Sequence, residues 1–102
     1  MKKPVVVAIA FALGTFSATS PAAGDAAAGQ AKAGICAACH GPTGTSPNDL
    51  WPNLAGQKAG YIVKQLKALR DGTRTDPMMS PMAKPLSDAD IENLAAFFSS
   101  QK

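Results

Sequence analysis

The sequence predicts an all-α domain of three to four helices, with two long loops wrapped around a bound group. An alanine-rich stretch before Cys36 and two stretches with helical spacing of apolar residues, 58–71 and 87–98, supply the helices. Two segments rich in glycine and proline, 41–56 and 73–85, are longer than ordinary turns. No alternation of period two marks a strand and no segment repeats, so we expect helices alone.

The first helix is predicted from Asp25 to about Cys36. Asp25 is a suitable N-cap, because its carboxylate can accept hydrogen bonds from the free N–H groups of the first turn. The alanines that follow favour a helix. Gly29 and Gly34 disfavour one, so we expect each to have a packing reason, such as a second helix that crosses close by.

The first loop runs from Gly41 to Gly56. A loop this long in a compact domain usually encloses something or has a function of its own. Leu50, Trp51 and Leu54 are the apolar residues that can close over a flat ligand. For Trp51, a place as a half-buried core aromatic is an equal alternative.

The second helix is predicted from Lys58 to Asp71. Ile62, Leu66 and Leu69 follow the spacing of one helix face, and a glycine comes directly after the helix as a suitable stop.

The second loop, 73–85, is stiff and rich in methionine. Prolines restrict the backbone and can hold a thioether in place without help from a sheet. Gap filling is the alternative use of methionine. The residues concerned are Pro77, Pro81 and Pro85 with Met78, Met79 and Met82.

The last helix has the clearest start. Ser87 is the predicted N-cap, Asp90 completes a capping box, and Leu86 and Ile91 form a hydrophobic staple. We expect its apolar stripe to pack across the first helix at Gly29 or Ala33. The stripe consists of Ile91, Leu94, Ala95 and Phe98, with Phe97 beside it.

Cys36, Cys39 and His40 form a Cys-x-x-Cys-His run, the spacing at which c-type haem is attached. Residues three and four apart share one face of a helix, so both thiols can add to the vinyl groups of one haem. His40 then lies below the porphyrin and can bind the iron as proximal ligand. A thiol–disulfide pair and half of a zinc site are the alternatives. A zinc site needs four ligands, and the chain has only two cysteines and one histidine.

The amino-terminal segment has the pattern of a secretory signal peptide. Two lysines open it, an apolar run covers residues 5–16, and small residues follow at 20–23. We expect residues 1–22 to be removed, with a cut after Ala23 as the alternative, and residues 23–102 to form the mature domain. An uncleaved membrane anchor is disfavoured, because the apolar run is short for a span of roughly 20 residues.

Composition agrees with a core built around a cofactor. Four Phe, one Trp and one Tyr are a thin aromatic supply for a small domain. Two of the positive charges behind the net charge of +3 belong to the lysines of the signal segment, so nothing points to a nucleic-acid partner. A basic cluster in the middle of the chain can steer an acidic partner; it consists of Lys58, Lys64, Lys67, Arg70 and Arg74. An ordinary solvated helix face is an equal alternative.

Together these features resemble class I cytochromes c, and more closely the small bacterial cytochromes c553 and one half of the dihaem cytochrome c4. The resemblance covers the mature chain nearly end to end, and it implies helices and loops wrapped around one covalent haem c. Its most specific pieces are Gly24–Ala33, Cys36–Pro42, Pro52–Gln57, Met79–Met82, Leu86–Asp90 and Leu94–Phe97.

The resemblance also implies roles for single residues. In that family the second iron ligand is the first methionine of a Met-x-x-Met pair before the last helix, which corresponds to Met79. Met82 is the second candidate and Met78 the third. A proline carbonyl in the first loop commonly holds the other nitrogen of the histidine ligand, and we expect Pro47 in that role. Trp51 is expected near a haem propionate.

The function implied is that of a periplasmic, diffusible one-electron carrier and not an enzyme, because two axial ligands leave the iron no open site. Membrane cytochrome complexes and terminal oxidases or reductases are the expected partners of a monomer without a membrane span. A haem enzyme or gas sensor with an open sixth site is one alternative, and a subunit of a larger oxidase or reductase is another. A cytochrome c4 would continue into a second haem domain beyond Lys102. We therefore expect one haem, or a partner that binds where cytochrome c4 has its other half.

Overall fold

The computed structural model describes residues 2–5 and 24–102. The predicted signal segment therefore lies mostly outside the described residues, as do both cleavage positions. The all-α prediction is confirmed: the described residues contain helices and no strand. They also contain no helix long and apolar enough to cross a membrane. The elements are α1 (Ala26–Lys32), a 3₁₀ turn (Ala33–Ile35), α2 (Ala37–His40), α3 (Ala59–Asp71), α4 (Met79–Ala83) and α5 (Asp88–Ser100).

The first predicted helix begins as expected but is not continuous. The Asp25 carboxylate accepts hydrogen bonds from the N–H groups of Ala27 at 2.9 Å and Ala28 at 3.4 Å. The chain then leaves α1 after Lys32, tightens into the 3₁₀ turn and restarts as α2. Glycine at 34 and β-branched isoleucine at 35 are weak helix formers, which explains the break. As a result Cys36 lies at the junction, as the N-cap residue of α2.

Helix α5 packs across α1 at Gly29, as predicted. A Cβ at Gly29 would overlap the main-chain carbonyl of Asn93 and lie 2.8 Å from the Cβ of Phe97. The Asn93 side chain also accepts a hydrogen bond from the Asp25 N–H at 2.8 Å. The packing role expected for Gly34 was wrong, since an added Cβ would meet nothing within 4 Å there.

The start of α5 has the predicted capping box. The Ser87 hydroxyl accepts from the Asp90 N–H, and the Asp90 carboxylate accepts from the Ser87 N–H, both at 3.0 Å. Hydrogen bonding to the Ser87 N–H holds the pKa of Asp90 below its usual range. The predicted stripe is buried and forms the centre of the core, which contains Ile91, Leu94, Ala95, Phe97 and Phe98.

The end of α3 is tied to the start of α5 by one arginine. The Arg70 guanidinium donates to the Asp71 and Asp88 carboxylates, each at 2.8 Å, and to the Leu86 carbonyl at 3.2 Å. These hydrogen bonds hold the pKa values of both carboxyl groups below their usual range. Gly72 then ends α3 in the left-handed conformation, with φ 89°, as its position predicts.

The second loop contains a short helix that we did not predict from the sequence. We expected an irregular segment over 73–85, whereas α4 occupies Met79–Ala83. Pro77 precedes the helix, and Pro81 is its third residue. Neither interrupts a helical hydrogen bond, because the N–H groups of the first turn have no helical partner.

Candidate functional site

A cavity of about 790 Å³ opens between α2, the first loop, α3 and the α4 segment. Its deepest wall includes Leu94 and Phe98 of α5, and apolar side chains supply most of the lining. The volume lies in the range of pockets that bind small molecules and cofactors, roughly 300–1,000 Å³. Within the described residues, the fold therefore leaves room beside the hydrophobic core for a large apolar group.

All three residues of the Cys-x-x-Cys-His run line this cavity. Cys36 and Cys39 are half-buried and are not joined by a disulfide. Burial raises the pKa of the Cys36 thiol, and the nearby Cys39 raises it further. Both sulfurs are therefore available at the cavity wall as separate attachment points.

His40 is buried, with 6% of its surface exposed. Its Nδ1 lies 2.8 Å from the Pro52 carbonyl oxygen. A carbonyl can only accept, so Nδ1 carries the proton and Nε2 keeps its lone pair free for a metal ion. The bond also fixes the plane of the ring.

The carbonyl partner of His40 was predicted wrongly as Pro47. Ser46 and Asn48 close a tight turn around Pro47, with the Ser46 hydroxyl donating to the Asn48 carbonyl at 2.8 Å. Pro47 is exposed on the outside of that turn and does not line the cavity. Pro52, five residues later, returns along the cavity wall beside the histidine.

Two hydrogen-bonded contacts hold the first loop in this path. The Gly44 carbonyl accepts from the N–H groups of Leu54 at 2.7 Å and Ala55 at 3.0 Å. The Gly56 N–H donates to the Phe98 carbonyl at 2.9 Å, which attaches the loop to α5. Pro52 is therefore placed by the same helix that forms the back of the cavity.

Met78, Met79 and Met82 all line the cavity, but they differ in burial. Met79 is half-buried and packs against the core. Met78 and Met82 are 56% and 41% exposed. Burial thus favours Met79 as the inward thioether. Trp51 also lines the cavity and is half-buried, so its expected place in the haem surroundings stays a prediction that the geometry allows.

The sequence model of the cytochrome c family matches residues 26–102. This chain belongs to the cytochrome c family. Cytochrome c4 of Pseudomonas aeruginosa is 53% identical over 81 residues, which cover 79% of this chain and 40% of that protein. Cytochrome c-554(548) of Halomonas halodenitrificans is 51% identical over 83 residues, 78% of this chain and 100% of that protein.

A solved structure agrees with these relatives. Reduced recombinant cytochrome c4 from Pseudomonas stutzeri is 47% identical, with a TM-score of 0.75, over 78% of this chain and 47% of that chain. The chain spans less than half of the length of these cytochromes c4. The class I cytochrome c fold expected from the sequence is confirmed.

Family membership makes covalently bound haem c the cofactor, and the residues present fit it. Cys36 and Cys39 stand at the required spacing on one wall. The Nε2 of His40 would be the nitrogen ligand of the iron, and Met79 is the candidate for the sulfur ligand of a His/Met pair. The remaining lining is largely apolar, as a porphyrin requires.

The zinc alternative gains no support from the structure. Across residues 2–5 and 24–102, no three side chains of the His, Cys, Asp or Glu type come together as a metal-binding group.

Sequence reasoning missed two features of the site, and only the second of them carried a signal in the sequence. Pro52 acts through a main-chain carbonyl, which every residue has, so residue type could not single it out. Asp76 accepts hydrogen bonds from the N–H groups of Met78 and Met79, which hold the pKa of its carboxyl group below the usual range. An acidic residue followed by proline is a helix-start signal, and it would have indicated both α4 and its cap.

Proposed function

We propose that this protein is a monohaem carrier that passes single electrons between other redox proteins. The observation that supports it is one apolar cavity that brings together Cys36, Cys39, His40 and the half-buried side chain of Met79. When bound, the haem supplies an iron that alternates between the ferric and ferrous states. His40 and Met79 would hold this iron, and a His/Met ligand pair would raise its reduction potential and leave it no open site for a substrate.

The chain's own residues hold the site still during such a cycle. The Pro52 carbonyl fixes the His40 ring through its Nδ1–H at 2.8 Å, and Leu94 and Phe98 exclude water from the back of the cavity. A site with little freedom to rearrange suits electron transfer, because ligand geometry then stays the same in both oxidation states.

The test is the optical spectrum of exported, purified holoprotein, oxidised and reduced. A low-spin c-type spectrum with the weak far-red band of a ferric iron–thioether bond is expected. Met79→Ala should keep the attached haem but lose that band, while Met82→Ala and Met78→Ala should keep it. Loss of the band in Met82→Ala instead would move the ligand to that residue. A high-spin wild type that binds carbon monoxide at neutral pH would favour a haem enzyme or gas sensor.

We further propose that the protein acts in the periplasm after removal of residues 1–22. The basic and apolar regions of that segment support export. Close packing begins directly after it, since a Cβ at Gly24 would overlap the Glu92 carbonyl. Mass spectrometry of the mature protein should give the mass of residues 23–102 plus one haem. An intact residue 1 would contradict the proposal.

The proposed partners are redox proteins with an acidic docking face, met by a monomeric carrier. Lys58 and Lys64 are exposed on one stretch of the chain, with Lys67 partly so. Replacing Lys64 and Lys67 by glutamine should slow electron transfer at low salt and have little effect above the ionic strength that screens surface charges. Rates that do not depend on salt would count against this surface.

A further inference from the structure

We propose that Asp76 is a positioning residue that sets how firmly Met79 stays on the haem iron. The proposal rests on the function proposed above, in which Met79 is an axial ligand. The Asp76 side chain would not bind the iron. It acts through the main chain of the residue that does.

Four hydrogen bonds within five residues build the turn that carries Met79. The Asp76 Oδ1 accepts from the N–H groups of Met78 at 2.9 Å and Met79 at 2.8 Å. The Asp76 N–H donates to the Ser80 hydroxyl at 2.9 Å, and the Ser80 N–H donates to the Asp76 carbonyl at 3.0 Å. The main chain of Met79 is thus bonded directly to the Asp76 side chain.

Prolines on both sides make this turn depend on its cap. Pro77 follows Asp76 directly and Pro81 follows Ser80. Neither has an N–H, so neither can donate a main-chain hydrogen bond within the segment. Helix α4 has only five residues, far fewer than an isolated helix needs for stability. The Asp76 carboxylate therefore supplies a large share of the hydrogen bonds that keep this turn formed.

Loss of the cap should release Met79 locally rather than unfold the domain. The hydrophobic core lies mainly in α3 and α5, takes only Ala83 from α4, and does not include Asp76, which lies at the cavity wall. Without the carboxylate, the N–H groups of Met78 and Met79 lose their acceptor while the cysteines and His40 keep their places. The sixth position of the iron then opens more often, although the folded protein persists.

An added ligand can measure this opening. Imidazole binds ferric haem only when the thioether has left, so its apparent affinity rises in proportion to the open fraction. Loss of an N-cap acceptor typically shifts a local equilibrium by roughly five- to tenfold. We therefore expect Asp76→Ala holoprotein to bind imidazole about five to ten times more tightly than wild type, with a weaker far-red band.

Asp76→Asn separates the hydrogen bond from the charge. Asparagine is an N-cap as good as aspartate, so this variant should stay within about twofold of the wild-type imidazole affinity. Asp71→Ala is the matched control, because it removes an exposed aspartate that is bonded to Arg70 and not to the methionine turn. Its imidazole affinity should equal that of wild type.

The outcomes separate the two proposals. Met79→Ala tests the ligand: if its imidazole affinity equals that of wild type, Met79 is not the axial ligand and the site assignment fails. If Met79→Ala binds imidazole far more tightly but Asp76→Ala does not, the role of Asp76 is overturned. Equal effects of Asp76→Ala and Asp76→Asn would overturn it too, since charge alone would then explain them. Should Asp76→Ala give no holoprotein, Asp76→Glu replaces it, because glutamate keeps the charge but is not a preferred N-cap residue. An unchanged affinity in Asp76→Glu overturns the proposal.

Discussion

The close crossing of α1 and α5 makes Gly29 the position where the smallest added group should cost most. In Gly29→Ala the new Cβ would overlap the Asn93 carbonyl and lie 2.8 Å from the Phe97 Cβ. Ordinary contact begins at 3.4 Å, so the Phe97 backbone alone would have to retreat by about 0.6 Å, the difference between these distances. The carbonyl demands a larger shift, because it belongs to the main chain of a helix and cannot rotate away.

Separating the two helices also strains neighbouring contacts. The Asn93 side chain would be drawn from the Asp25 N–H, now 2.8 Å away. Overpacking of this kind typically costs about 1–3 kcal/mol, and contact with main chain on a buried face places Gly29→Ala at the upper end. We expect the free energy of unfolding to fall by roughly 2–3 kcal/mol, which lowers the melting temperature of a domain this size by about 10–20 °C.

The assay is thermal unfolding of oxidised holoprotein, followed by far-ultraviolet circular dichroism. Gly60→Ala is the matched control, because Gly60 lies within α3 and an added Cβ there meets nothing within 4 Å. It should be neutral or stabilise the protein by up to about 1 kcal/mol. If Gly29→Ala unfolds within about 1 °C of wild type, or if both variants lose stability equally, the close contact at Gly29 does not limit stability.

Three further substitutions test the cap of α5, the ion pairs of Arg70 and the role of Met78. Ser87→Ala should lower the free energy of unfolding by about 1 kcal/mol through loss of the α5 cap, as measured by guanidinium unfolding, whereas Ser87→Asp should restore it. Arg70→Gln should raise the pH midpoint of acid unfolding. The lowered pKa values of Asp71 and Asp88 contribute stability that is present above about pH 4 and lost as the pH falls through their folded values. An unchanged acid midpoint would mean that these surface pairs contribute nothing. Met78→Leu should leave both the spectrum and the stability unchanged, since this side chain is 56% exposed, and a spectral change would mean that Met78 contributes to the iron site.

Residue type and spacing were enough to predict the features that depend on which side chain, or which missing side chain, stands at a position. The Ser87 cap, the buried stripe that includes Phe98 and the glycine contact at 29 all follow from spacing and size. The joint placement of Cys36, Cys39 and His40 on one cavity wall follows from the three- and four-residue spacing of a helix.

The parts that sequence reasoning missed depend on main-chain atoms or on the path of a loop. Pro47 and Pro52 are residues of the same type in the same loop, so residue type cannot distinguish them. The turn at Ser46 and Asn48 determines that the Pro52 carbonyl, and not that of Pro47, faces His40. Helix α4 was missed because prolines hide helical periodicity, although they do not interfere within a first turn. The open space at Gly34 could not be told from the crowded space at Gly29, because both are glycines in an alanine-rich helix.

The contact between Asp25 and Asn93 joins residues 68 positions apart. A domain whose opening helix rests on its closing one has no local route to its native state, since that contact must be formed across almost the whole chain at a cost in loop-closure entropy. A growing chain therefore cannot complete its interior until the thirteen residues of α5 are present. Until α5 is in place, the cavity lacks the side that Leu94 and Phe98 form. The two thiols would then be open to a large prosthetic group before the fold is complete.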